Sequence, residues 1–287
     1  PEEGETLAAS GPNVMDIDFD ALIANETDST LKDMHEYFRD RTPTEKNQYT
    51  GMFQGKNLLL FTGEAFWIGA VNEQYTPTLY KLAHSGFVFE NFYNPLWYYS
   101  TVDGEYAATT GLIPTNQVNA SQRYAGKNGV SMYFSMGNQL RALGYPTLAY
   151  HNNTANYYDR NLSHPNLGYD FYACDTGLDV AMTWPQSDLE MMQLTLPQAL
   201  AGEKPFHNYY MTVSGHMNYS FAGNAMSAKH RDEVADLDMS EAARAYLACN
   251  MELDQALEYT IKTLEEAGEL ENTVIVLSGD HYPYGLD

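Results

Sequence analysis

Short apolar runs alternating with helical patterning constrain this chain more than any other feature. Asn57-Leu58-Leu59-Leu60-Phe61 lies between Gly55 and Gly63, and Thr273-Val274-Ile275-Val276-Leu277 ends just before Ser278-Gly279. Both have the length and continuous apolarity of fully buried strands. The segments 87–93 (FVFENFY), 146–150 and 206–213 read as further strands. Between them, a helix opens at Tyr75-Thr76-Pro77-Thr78-Leu79 and ends near Gly86, and another covers 133–143 before Gly144. Residues 240–268 carry apolar positions at helical spacing, with Gly268 marking the end. The alternation predicts an α/β fold with a mostly parallel central sheet and helices on both faces. In open sheets of this kind ligands bind beyond the carboxyl ends of the strands.

Residues 1–50 have a different texture, polar and charge-rich. Asp28-Ser29-Thr30 before LKDMHEYFRD predicts a capped helix with Leu31, Met34, Tyr37 and Phe38 on one face, broken at Thr42-Pro43-Thr44. We read 1–50 as an N-terminal arm or linker and 51–287 as one domain. The opening PEEGETLAASGPN is polar and acidic, reading as a processed start, and no run reaches the roughly 18 apolar residues of a membrane helix. These features suit a soluble piece of something larger. The net charge of −23 repels nucleic acid, so a phosphate-bearing ligand must be met locally by a metal ion or a well-placed Arg. Cys174 and Cys249 are the two cysteines, too few for a disulfide framework, and read as separate buried thiols with a Cys174–Cys249 pair as the alternative.

The strand ends test the prediction about where a ligand binds. The first strand delivers Glu64 directly after Gly63; the last delivers Asp280-His281; the strand at 206–213 delivers Ser214-Gly215-His216. Carboxylates and imidazoles from distant parts of the chain therefore meet at one sheet edge. Glu64, Asp280 and His281 can ligate one cation, and one nitrogen with several oxygens suits Mn2+ or Mg2+, with Zn2+ as the alternative. Asp280 can equally cap its turn while His281 packs on Tyr282 and Tyr284. The segment 99–106 (YSTVDGEY) places hydroxyls at the start of a helix running to about Gly111, where anions and a developing alkoxide are favoured. Metal coordination would activate a Thr hydroxyl there; a plain N-cap role for Ser100 or Thr101 is the competing reading.

Taken together, five segments resemble lipoteichoic acid synthases, in the same order: KNLLLFTGEAF (56–66), FENFYNPLWYYSTVDGEY (89–106), HNNTANYYDR (151–160), MTVSGHMNYSF (211–221) and TVIVLSGDHY (273–282). That family belongs to the alkaline phosphatase/sulfatase superfamily. The resemblance implies that Glu64, Thr101, Asp280 and His281 hold one divalent metal, usually manganese, and that Thr101 is also the nucleophile. It implies further that Arg160 and His216 hold the phosphate and glycerol of the substrate, with Tyr158 as a lining aromatic. Tyr158 stands where the family often carries Trp, and Ala65 where Ser commonly follows the Glu. Family members continue well past the position of Asp287, so the chain reads as short at its C-terminus, with supporting contacts to His281 expected to be missing.

The implied reaction moves glycerol phosphate from a phosphatidylglycerol headgroup to a lipoteichoic acid polymer or glycolipid acceptor, through a phospho-threonine at Thr101. The implied setting is the outer face of a Gram-positive-type cell membrane, held there by an N-terminal anchor outside this sequence. A phosphodiesterase, a phosphatase or another hydrolase of the superfamily would differ in using water as acceptor. Phosphoethanolamine transferases tend to be disulfide-rich, which two cysteines do not match. A non-catalytic module binding glycerol phosphate is the reading from another class, and it would need no nucleophile.

Overall fold

The computed structural model describes residues 10–93 and 100–286. The start of the opening segment, and Tyr99 with the rest of 94–99, lie outside the described residues. The described residues up to Gly55 form one unit and those from Lys56 onward another. In the first unit, α1 (Phe19–Asn25) and α2 (Ser29–Arg39) follow one another. Asp28 caps α2 as its position predicts, accepting from the amides of Thr30 and Leu31 at 2.8 and 3.0 Å. The stripe Leu31, Met34, Tyr37 and Phe38 is exposed.

The second unit runs β1 (Asn57–Gly63), α3 (Pro77–Ala83), α4 (Ser100–Thr110), α5 (Val118–Asn128), α6 (Met136–Ala142), β2 (Thr147–His151), α7 (Arg160–Asn166), β3 (Asp170–Ala173), α8 (Asp188–Ala201), β4 (His207–Met211), α9 (Ala225–Lys229), α10 (Glu241–Glu266) and β5 (Thr273–Gly279). The five strands form one parallel sheet in the order β3-β2-β4-β1-β5. Side chains alternate between its faces. Leu59, Phe61 and Tyr210 pack with Leu79 of α3, Met191, Met192 and Leu196 of α8, and Leu253 and Leu257 of α10. Leu60, Tyr209 and Met211 face the other way, against Leu167, Tyr169 and Met136. Both faces are covered, as the strand–helix alternation predicts.

Three expectations change. The segment 87–93 forms no strand: Phe87, Val88, Phe89, Phe92 and Tyr93 are exposed. Its apolar alternation satisfies strand propensity, but propensity without a ladder partner does not make a strand. The run at 273–277 is a strand but not a fully buried one, because β5 lies at the sheet edge and Val276 is 39% exposed. The third element, β3, has no counterpart in the sequence reading. Its four residues, Asp-Phe-Tyr-Ala, are too few and too polar to show a buried-strand pattern. Cys174 and Cys249 are both free thiols, the second buried.

Candidate metal and phosphoryl-transfer site

Register builds the centre of the site. β1 and β5 are parallel neighbours with Gly63 opposite Gly279, so the residues that follow, Glu64 and Asp280, emerge side by side. The amide of Asp280 donates to the Gly63 carbonyl at 3.2 Å, extending the ladder by one step. On the other side of β1, the Glu64 amide donates to Thr212 Oγ1 at 3.0 Å, tying it to the end of β4. Glu64, Asp280 and His281 are all buried, and one ligand atom from each lies within 4.8 Å of the others. His281 Nε2 stands 3.3 Å from Glu64 Oε1 and 3.5 Å from Asp280 Oδ2.

The capping reading of this turn accounts for one Asp280 oxygen and leaves the other open. Asp280 Oδ1 does cap, accepting from the amides of Ala65 at 2.8 Å and His281 at 2.7 Å. Ala65 adopts a left-handed φ of +50° to bring its amide there, a conformation that costs a non-glycine residue about 1–2 kcal/mol. Asp280 Oδ2, by contrast, is buried without a hydrogen-bond partner. His281 does stack on Tyr284, with ring centroids 4.6 Å apart, and its Nδ1 donates to the Tyr282 carbonyl at 2.8 Å. A carbonyl can only accept, so Nδ1 keeps its proton; Nε2 is then the nitrogen that donates to Glu64 when protonated, and it would offer a lone pair to a cation that displaces that proton. Tyr282 and Tyr284 thus orient the His281 ring.

Electrostatics agree with a cation site. Burial, and then the charge of Glu64, push the Asp280 carboxyl well up from its ordinary range. Burial alone would push His281 down, but the hydrogen bond to Glu64 and the charges of Asp280 and Glu64 outweigh it and raise the imidazole to about 9. Two clustered carboxylates thus call for positive charge. An orphaned oxygen, a second carboxylate and a pre-set imidazole nitrogen fit a divalent ion.

The predicted nucleophile comes from α4. Thr101 is half-buried in its first turn, after Ser100, whose φ is +25° and whose Oγ lies 2.5 Å from Tyr284 Oη. Gly104, one turn further on the same side of the helix, presses on Asp280: a Cβ there would sit 2.3 Å from the Asp280 carbonyl oxygen and 2.4 Å from its Cα. Only glycine permits this approach, and it sets the Thr101 side of α4 against the Asp280 turn. Replacing Gly104 with Ala should force α4 away from Asp280 by roughly 1 Å, a displacement that typically costs reactivity about 100-fold. The check is turnover and Mn2+ affinity of Gly104→Ala beside its melting temperature; unchanged turnover would separate α4 from the centre.

The turn that carries His216 meets the site through a second close approach. A Cβ on Gly215 would lie 2.3 Å from the Glu64 carbonyl oxygen, so this turn packs on Glu64. Asn224 Nδ2 donates to the carbonyls of Ser214 and His216 at 3.1 and 2.8 Å, and buried Asp188 accepts from the Val213 amide at 2.9 Å. Burial pushes the Asp188 carboxyl up to about 6 despite the donors around it. His216 itself is half-buried, its Nδ1 2.6 Å from the Met217 carbonyl and its ring edge-on to Trp184.

Arg160 is not the solvated surface charge that its sequence context alone would suggest. It is 2% exposed, at the start of α7, and paired with Glu105 of α4. Tyr158, half-buried, lays its ring 5.3 Å from the guanidinium. Burial raises the Tyr158 phenol, with the neighbouring Tyr157 adding to it. The structure therefore brings Glu64, Asp280 and His281 into one cluster and packs the segments bearing Thr101 and His216 directly on it. Sequence reasoning missed Glu105 as the partner of Arg160, the contact of Tyr284 with Ser100, Asp188, and the two glycines. A glycine inside a helical stretch, as in STVDGEY, was the available signal for close packing.

The comparisons fit this geometry. The sulfatase family matches residues 56–285. The chain belongs to the sulfatase family. Among similar proteins of this enzyme family, lipoteichoic acid synthase-like YvgJ of Bacillus subtilis (strain 168) is 23% identical over 81% of this chain and 38% of its own length. Lipoteichoic acid synthase 2 of the same organism is 23% identical over 88% of this chain and 39% of its own. This sulfatase-family chain thus spans about two fifths of the curated relatives it matches. Its fold matches that of the lipoteichoic acid synthase LtaP from Listeria monocytogenes, with TM-score 0.67 and 22% identity over 82% of this chain and 58% of that one. The five-stranded parallel sheet is the alkaline phosphatase/sulfatase fold.

Proposed function

We propose that this sulfatase-family chain carries the metal-dependent step that transfers glycerol phosphate from phosphatidylglycerol to a lipoteichoic acid or glycolipid acceptor, with Thr101 as nucleophile. The observation that carries the reading is the orphaned Asp280 Oδ2 beside Glu64 and His281, with the Thr101 end of α4 packed on the same turn. The similarity to lipoteichoic acid synthases supports glycerol phosphate as the transferred group.

Glu64, Asp280, His281 and Thr101 would hold the ion, Mn2+ first, with Mg2+ or Zn2+ as alternatives. When bound, a divalent ion lowers the pKa of a hydroxyl and offsets charge on a phosphoryl group. Thr101 Oγ1 forms a bond to phosphorus as the bond to the diacylglycerol oxygen breaks; the Thr101 proton passes to that departing oxygen, releasing diacylglycerol and leaving a glycerophosphoryl ester on Thr101. The acceptor hydroxyl then attacks phosphorus, and the Thr101 oxygen leaves with the proton restored. Arg160 offers charged N–H donors to the phosphoryl oxygens, and Tyr158 lines the same side. His216, its Nδ1 held by the Met217 carbonyl, presents Nε2 to hold the phosphate or to pass a proton.

The net charge of −23 fits this division of labour, since anions are met by local cations rather than by a basic face. Among the described residues no helix is long and apolar enough to cross a membrane. The outer face of a Gram-positive-type membrane is the setting we propose with this reaction, supported by the likeness to lipoteichoic acid synthases of Bacillus subtilis. Incubation with phosphatidylglycerol and Mn2+, with and without a glycolipid acceptor, tests the reading. Acceptor-dependent release of diacylglycerol, with glycerol phosphate recovered on the acceptor, is the expected result. Free glycerol phosphate alone would make the chain a hydrolase; binding without turnover would make it a recognition module.

A further inference from the structure

A guanidinium removed from water needs compensation, and Arg160 obtains it from a single carboxylate. Its Nε donates to Glu105 Oε2 at 3.2 Å, and its Nη2 makes a short hydrogen bond to Glu105 Oε1. Nη1 donates to the Tyr157 carbonyl at 3.3 Å. Three of the five guanidinium donors are thereby used, which leaves one N–H on each terminal nitrogen for a ligand. His164 also lies 3.9 Å from Glu105, but burial and the charge of Arg160 push its imidazole down to about 3. It is therefore neutral, and the charge paired with Glu105 is that of Arg160.

Glu105 sits four residues after Thr101 on α4, one turn along the same side of the helix. Gly104, beside it, seats α4 on Asp280. The helix that carries the nucleophile thus also fixes the guanidinium, while the consecutive left-handed residues Tyr158 (φ +56°) and Asp159 (φ +56°) set the chain direction into Arg160.

We propose that Glu105 is a positioning residue: by holding Arg160 side-on from the nucleophile helix, it fixes the two remaining guanidinium N–H groups relative to Thr101 Oγ1, so that the phosphoryl group they bind presents its phosphorus to that oxygen. The inference rests on the assignment of Arg160 as a phosphate ligand. Neutralisation of a buried charge would require only a carboxylate nearby; side-on pairing from the nucleophile helix also sets orientation. Glu105 touches no reacting atom and acts through Arg160.

The test is a double-mutant cycle on glycerol phosphate transfer with Mn2+ present, comparing Glu105→Gln, Arg160→Ala and both together. Glu105→Gln should lower kcat by about 10- to 100-fold with KM not raised, as expected for a misplacement near 1 Å. On the Arg160→Ala background the same change should have almost no further effect, since residues acting through one another are not additive. Mn2+ affinity should be unchanged throughout, which a general loosening of the fold would not leave intact. Full persistence of the Glu105→Gln loss without Arg160, or no kcat loss in the folded single variant, overturns the proposal. Should Glu105→Gln fail to fold, Glu105→Asp, which keeps the charge but is a methylene shorter, runs through the same cycle. A native chain that neither transfers glycerol phosphate nor binds it in calorimetry overturns the functional reading itself, before any variant is made, and this inference with it.

Discussion

Replacement of Thr101 by Ala is expected to eliminate the covalent phospho-enzyme and to lower transfer by at least about 1,000-fold, the scale seen when a nucleophile is removed from an otherwise intact site. The side chain is half-buried at the start of α4, and removing one hydroxyl and one methyl there leaves Gly104 still seated on Asp280. The variant should therefore melt near the native temperature and keep Glu64, Asp280 and His281 together. Intact-mass measurement after exposure to phosphatidylglycerol supplies the direct reading: an adduct on the native chain, localised to 101, and none on Thr101→Ala. An adduct that persists in the variant, or maps to Ser100, would move the nucleophile. Thr101→Ser retains the oxygen and should retain measurable turnover.

The second large effect is expected at Asp280, where the sign differs between the metal-free and metal-loaded protein. Asp280→Asn keeps an acceptor for the amides of Ala65 and His281, so the turn after β5 should survive. It removes a buried negative charge that burial and Glu64 already disfavour. In EDTA-treated protein the variant should thus be no less stable than the native chain, since it loses the repulsion with Glu64. Adding Mn2+ reverses the ranking. An ion at about 100 times its dissociation constant stabilises a folded protein by about 2.7 kcal/mol, and the native chain alone should show such a rise in Tm. Transfer should fall with the lost metal affinity. A native-like Tm response to Mn2+ in Asp280→Asn would dismiss this carboxylate as a ligand.

Much of this arrangement was legible because glycine-bounded apolar runs locate strand ends, and parallel strands present their ends at one edge. Glu64 and Asp280-His281 follow such runs directly, and the structure pairs those runs as neighbours. Periodicity could not show that β5 is an edge strand, since continuous apolarity reports composition and not position in the sheet. It also overstated the strand character of 87–93, which has the alternation but no ladder. Arg160 was the least legible site residue: nothing in HNNTANYYDR says that its charge is buried, because the compensating Glu105 lies 55 positions earlier. Tertiary pairing of that range leaves no local pattern. Tyr284 was weighed only as something for His281 to pack on, whereas it also meets Ser100 at the start of α4.

The pairing of Gly63 with Gly279 has an implication for how the molecule is made. Adjacent strand residues point to opposite faces, so displacement of β5 along β1 by a single position would carry Asp280 out of reach of Glu64. Ion uptake can then serve as a readout of strand alignment between two stretches of polypeptide separated by some 200 positions. A refolding time course followed by Mn2+ capture should trail the recovery of helical signal, because α10 can wind locally while the ion must wait for β1 and β5 to find one another.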